Sequence, residues 1–153
     1  MKNFKEFLYE STFKISGFNI IDKTGKLNEK HYSAIESILE LSMGYLKIKP
    51  VSIYVEKKSR AEANSNTLIT IGFDKNIENM IKQIAHELTH ISQYQRGDMN
   101  DDTGEVYDYD HILWKGKRMK MYNYGQAYMN SPWEIEAREK EQKIFDMWKK
   151  FNK

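Results

Sequence analysis

Cysteine is absent from this 153-residue chain, so disulfides and thiolate metal ligation are excluded, and any bound metal must be held by nitrogen and oxygen. Proline occurs only twice, and no low-complexity or repeated stretch divides the chain. A single domain over residues 1–153 is therefore expected. Charge of one sign is also lacking: 24 Lys and Arg against 22 Asp and Glu leave a net charge of +2. That balance gives no whole-chain attraction to nucleic acid or to acidic membranes, so a nucleic-acid partner is not expected. No apolar run reaches the roughly 20 residues that a membrane span needs, and Lys5, Glu6, Glu10 and Lys14 interrupt the first segment before it can form a signal peptide. The expected location is cytoplasmic. Residues 1–10 instead predict an amphipathic N-terminal helix that lays Phe4, Phe7 and Leu8 on the core.

What the chain does contain is His86-Glu87-Leu88-Thr89-His90, an HExxH pattern. With four His in the chain, chance alone gives on the order of 0.01 such matches. The pattern sits inside a helix predicted over about residues 75–96. Ile77, Met80, Ile81, Ile84, Leu88 and Ile91 recur at helical spacing, Asp74 stands where an N-cap belongs, and Gly97 stands at the stop. Positions four apart share a helix face, so both imidazoles can reach one ion while Glu87 stands beside its remaining coordination position. His86 and His90 lie off the apolar stripe, so core packing does not already account for them.

A catalytic zinc ion usually takes a third protein ligand and leaves a position to water. Two candidates lie in Ser131-Pro132-Trp133-Glu134-Ile135-Glu136-Ala137, and His111 is a third. Ser131, Pro132 and Glu134 also spell a capping box, which would turn the Glu134 carboxylate back to the helix start and leave Glu136 as ligand. The two glutamates are about 200° apart around a helix, so they are not interchangeable.

Around "IAHELTHISQ" and "SPWEIEARE" the chain resembles the gluzincin group of zinc metallopeptidases. The resemblance implies Zn2+ as cofactor, His86, His90 and Glu134 as ligands, and Glu87 as the catalytic base. In that group the ligand glutamate stands three residues before an alanine, here Ala137. Many members carry Asp or Asn after that alanine, whereas this chain has Arg138. The resemblance further implies a polypeptide substrate and a minimal zincin-like α+β domain, with a small mixed sheet packed on the HExxH helix and helices at both ends. In the resembled peptidases an edge strand binds the substrate backbone, which points to Thr67–Phe73 here; the alternative is an ordinary core strand with Ile69, Ile71 and Phe73 buried. Residues 1–10 are similar to the opening of small tailed-bacteriophage proteins, which implies a host-cell or virion location. The contrasting expectation is a zinc-containing binding or regulatory protein without proteolytic activity.

The remaining elements follow from local pattern. Leu27 to Met43 predicts a helix ending at Gly44, and Val51 to Val55 a strand. Lys57 to Asn66 is polar and is expected to be loop. Residues 97–130 form an insertion between the ligand segments. Its acidic first part misses the spacing of an EF-hand loop, and its second part predicts a hairpin turning at Lys115-Gly116. Several tyrosines in this region, with Tyr124 and His111 singled out, are candidates to stabilise an oxyanion.

Overall fold

The computed structural model describes residues 11–57, 60–64, 67–101 and 110–152. The expected helix over residues 1–10 and part of the acidic run, including Asp102, Glu105 and Asp108, lie outside them. Strand β1 (Ser11–Ile15) pairs antiparallel with β2 (Phe18–Asp22). Helix α1 (Glu29–Leu46) follows, then β3 (Ser52–Glu56), β4 (Glu62–Asn64), β5 (Leu68–Gly72) and helix α2 (Ile77–Gln95). A second sheet holds β6 (Met99–Asp101), β7 (His111–Trp114) and β8 (Lys117–Lys120), and helices α3 (Gly125–Met129) and α4 (Pro132–Phe151) end the described chain. The fold is thus α+β, with four helices and two sheets among the described residues. No helix among them is long and apolar enough to cross a membrane.

The main sheet has the order β1-β2-β3-β5-β4, with β2, β3 and β5 parallel and the flanking strands antiparallel. Its register aligns Ile20, Ile53, Ile69 and Ala63 in one row across four strands. The first three members of that row are fully buried, together with Val55 and Ile71 on the same face. Helix α1 brings Ile35, Ile38 and Leu39 to this core, α2 brings Met80, Ile81, Ile84, Leu88 and Ile91, and α4 adds Ile144 and Phe145. Burial of such side chains contributes roughly 1.5–3 kcal/mol each. It is this apolar stripe that fixes the rotation of α2 and turns its opposite face toward α4.

Several boundaries depart from the sequence expectation. Gly44 does not end α1, which continues to Leu46, a residue packed on the core, and stops at Lys47 with φ 55°. The α2 N-cap is Asn76, whose side chain accepts from the Asn79 amide at 3.3 Å. Asp74, the expected cap, instead accepts from the Asn76 amide at 2.8 Å and braces the approach to the helix. The hairpin of β1 and β2 has no counterpart in the sequence reading. Its turn places Ser16 and Gly17 at positive φ, and a Cβ on Gly17 would meet the Pro50 ring at 2.9 Å, so both backbone and space call for glycine there.

The largest correction concerns the segment expected to be loop over Lys57–Asn66, which contains β4. Its backbone pairs Glu62 with Thr70, Ala63 with Ile69 and Asn64 with Leu68. Three residues are too few to show an alternating pattern, and the pairing with β5 supplies the order that local sequence lacks. In consequence the Thr67–Phe73 strand is not an edge. It lies between β3 and β4, and β4 is the outer strand.

Within the insertion, β7 and β8 form the expected hairpin, with Lys115 and Gly116 at φ 50° and 80°. Strand β6 joins them and was not foreseen. Met99, Ile112, Trp114 and Trp133 form a second small core, in which the two indoles lie 6.0 Å apart. The insertion is thereby anchored to the start of α4.

Candidate metal centre

Because the apolar face of α2 is committed to the sheet, His86 and His90 face the first turns of α4. Their rings lie 5.0 Å apart and nearly perpendicular. The Glu134 carboxylate meets both: Oε2 is 3.2 Å from His86 Nε2 and Oε1 is 3.0 Å from His90 Nε2. One ligand atom from each of the three residues can be chosen so that all lie within 4.8 Å of one another, a group able to hold a metal ion. Two imidazole nitrogens and a carboxylate oxygen form a donor set that zinc accepts.

The other ring nitrogens are also engaged. His86 Nδ1 lies 3.0 Å from Glu141 Oε2, and His90 Nδ1 lies 2.8 Å from Gln93 Oε1. The Gln93 amide is oriented by its own donors, which reach the Trp133 carbonyl at 2.9 Å and Glu136 at 3.1 Å. Each Nδ1–H therefore donates outward, so Nε2 is the nitrogen turned toward the position that a cation would take. Helix α4 supplies both Glu134 and, two turns later on the same face, Glu141.

The competition between Glu134 and Glu136 has a physical basis in these contacts. Glu136 is paired with Arg96 and lies near Lys140, and these charges hold its carboxyl below the usual range despite burial. The capping box that the sequence offered as the rival role for Glu134 does not form. Ser131 is the N-cap, but its hydroxyl donates to the Ala127 carbonyl at 3.2 Å, and the Glu134 side chain goes to the imidazoles. Arg138, which departs from the pattern of the resembled family, reaches back to Met129 and takes no part in the group. Glu141 occupies the orienting position on His86 and was not foreseen from the sequence.

Glu87 is 5% exposed and faces a cavity of about 240 Å³, also lined by Arg60, Glu62, Ala63, His90 and Tyr128. Burial raises its pKa, while His90 and His86 pull in the opposite direction. Its carboxylate forms no hydrogen bond or ion pair among the described residues. The other candidates for stabilising charge separate clearly. Tyr124 is 85% exposed, and His111 begins β7 without lining this cavity. Tyr128 does line it. Burial, then the charge and hydrogen bond of Glu134, push its hydroxyl up to about 12. Arg60, whose guanidinium lies 5.7 Å from the Tyr128 ring, donates to the Asn123 carbonyl at 3.2 Å and ties the β4 approach to the segment before α3.

The His86 imidazole carries a pH signature. Burial lowers its pKa, but hydrogen bonds to Glu134 and Glu141 and the nearby Glu87 charge outweigh this and raise it to about 10. A raised folded-state value stabilises the metal-free fold fully below about pH 6.5, and this contribution is lost as pH rises through about 10. Metal uptake must displace that proton. Apparent zinc affinity is therefore expected to climb continuously from pH 6 to 9, with proton release on binding, as checked by chelator competition at several pH values. A flat profile would contradict this coupling.

No protein-family model, curated protein or solved structure matches this chain. The functional reading therefore stands on the site itself.

Proposed function

We propose that the chain is a zinc-dependent peptidase, with His86, His90 and Glu134 as metal ligands and Glu87 as general base. The observation that carries this reading is the Glu87 carboxylate: buried, without a hydrogen-bond partner among the described residues, and lining a cavity that His90 and Glu134 also line. Burial disfavours the charged form of this carboxylate, and groups shifted in this way collect where proton transfer is needed. Bound zinc supplies Lewis acidity, polarising a peptide carbonyl and acidifying water. Glu87 takes a proton from the attacking water as the C–O bond forms, and returns it to the amine as the C–N bond breaks. Its raised pKa suits both transfers. Tyr128 keeps its proton at neutral pH and holds a hydrogen bond to Glu134 from the wall of the same cavity.

The substrate backbone is assigned to β4 in place of the interior Thr67–Phe73 strand. Ala61, Glu62 and Ala63 line the same cavity as Glu87, and β4 ends the strand order of the sheet among the described residues, the position at which a strand can be added. Such binding supplies affinity with little sequence preference.

The test is hydrolysis of a fluorogenic peptide library by purified protein, followed by chelation and zinc readdition. The expected result is activity lost to chelator, with helical circular dichroism retained, and restored by zinc. Activity that persists without metal would overturn the reading. Zinc bound tightly without cleavage of any peptide would favour a zinc-containing binding or regulatory protein.

A further inference from the structure

We infer that a cleft where α1 and α2 end, beside the first residues of β3 and β5, binds an organic phosphate: a dianionic group carried on a partly apolar body. The inference stands apart from the peptidase reading, because the cleft shares no lining residue with the cavity that holds Glu87. Its volume is about 430 Å³, inside the range of roughly 300–1,000 Å³ found for small-molecule sites. Three cationic side chains line it: Lys47 and Lys49 from the link between α1 and β3, and Arg96 from the end of α2. No Asp or Glu lines it among the described residues. Leu46, Ile48 and Pro50 supply the apolar part of the wall.

The donors left over in this cleft decide the charge of its ligand. Arg96 spends Nε on Asp98 at 2.6 Å and Nη2 on Glu136. Among the described residues its Nη1 meets only Ser92 Oγ, at 3.5 Å, and that hydroxyl donates its own proton to the Thr89 carbonyl at 2.7 Å. Nη1 therefore keeps an N–H for an oxygen in the cleft, which Ser92 and Arg96 both line. The two carboxylates offset the Arg96 charge, so the net attraction comes from Lys47 and Lys49, neither of which has an ion pair among the described residues. Two ammonium groups and one guanidinium edge match a phosphomonoester, with nearly two charges and three acceptor oxygens, better than a single carboxylate. The wall does not depend on its cations for shape. The Lys49 amide donates to Gln95 Oε1 at 2.8 Å, and Gln95 Nε2 donates to the Lys49 carbonyl at 3.1 Å, so main chain holds the link against α2. At Lys47 φ is 55°, a conformation that glycine adopts without strain.

The test titrates the full chain by calorimetry with adenosine monophosphate, phenyl phosphate, inorganic phosphate and adenosine. At least one of the two organic phosphates is expected to bind at one per chain, about tenfold more tightly than inorganic phosphate or adenosine. Lys47→Gly and Lys49→Gln should each weaken that binding about tenfold, since each removes one charged donor while the main-chain clamp and the glycine-like backbone keep the fold. Two variants serve as controls. Lys117→Gln on β8 removes the same charge elsewhere, and Glu134→Ala disables the metal centre; both should bind as wild type does. No binding of either organic phosphate, or affinity unchanged in both Lys47→Gly and Lys49→Gln, would overturn the site. An equal loss in Lys117→Gln would reduce the effect to overall charge, and a loss in Glu134→Ala would move the ligand to the metal centre, each overturning the inference. Inorganic phosphate binding as tightly as both organic phosphates would overturn the apolar body of the ligand.

Discussion

Glu87→Gln is expected to lower peptide turnover about 10²–10⁴-fold while leaving zinc content at the wild-type level. Gln matches Glu in shape and fills the same buried position, so the imidazoles and Glu134 keep their arrangement. What is lost is a group able to accept a proton. The folded protein should not suffer from the exchange. Burial raises the Glu87 pKa, which means that its charged form is disfavoured in the fold, and removing that charge relieves the penalty at neutral pH. Thermal unfolding of metal-free wild type and variant should therefore show equal or greater stability for Glu87→Gln. Together the measurements separate a chemical role from a structural one. Turnover within a few-fold of wild type would remove Glu87 as the base, and loss of zinc would show that the substitution had disturbed the ligands.

The parts of this molecule that were legible in its sequence are those where one segment carries its own periodicity. The α2 stripe from Ile77 to Ile91 is long enough to declare a helix and also to say which face packs on the sheet, so the position of His86 and His90 off that stripe followed from spacing alone. The hairpin at Lys115-Gly116 was legible for the same local reason. Strand β4 was not, because three residues show no period and its existence depends on pairing with Leu68, Ile69 and Thr70. That omission misplaced the sheet edge and with it the strand assigned to a peptide. Gly44 misled in the other direction: a helix tolerates one glycine when an apolar residue beyond it, here Leu46, packs on the core.

The candidate site divides along the same line. Its two histidines and Glu87 come from one helical turn and were readable. Glu134 was ambiguous, since Ser131-Pro132 offered its carboxylate a local alternative, and only the approach of α4 to α2 decides between capping and the imidazoles. Glu141, Gln93 and Tyr128 were beyond local reading because their roles depend on partners from other turns or other elements. Glu141 could have been marked by its seven-residue separation from Glu134, a repeat that keeps two carboxylates on one helix face.

Glu134→Ala and Glu136→Ala are expected to part sharply in zinc binding, with Glu141→Ala between them. Losing an outer partner of a ligating imidazole commonly lowers metal affinity about 10–100-fold, which is the fall expected for Glu141→Ala because His86 keeps its nitrogen donor but loses the carboxylate that orients it. Glu134→Ala should exceed that range, since it removes the oxygen donor itself and leaves only two imidazoles. Glu136→Ala should leave zinc affinity near wild type. Its carboxylate serves Arg96, Gln93 and Lys140, and Arg96 retains Asp98 at 2.6 Å when Glu136 is gone. Gln93 likewise keeps the Trp133 carbonyl, so the support of His90 survives. Zinc affinities from chelator competition, measured at one pH because His86 binds a proton in the metal-free state, give the order directly. Weaker binding in Glu136→Ala than in Glu134→Ala would reverse the ligand assignment and require α4 to rotate on its axis when metal is bound.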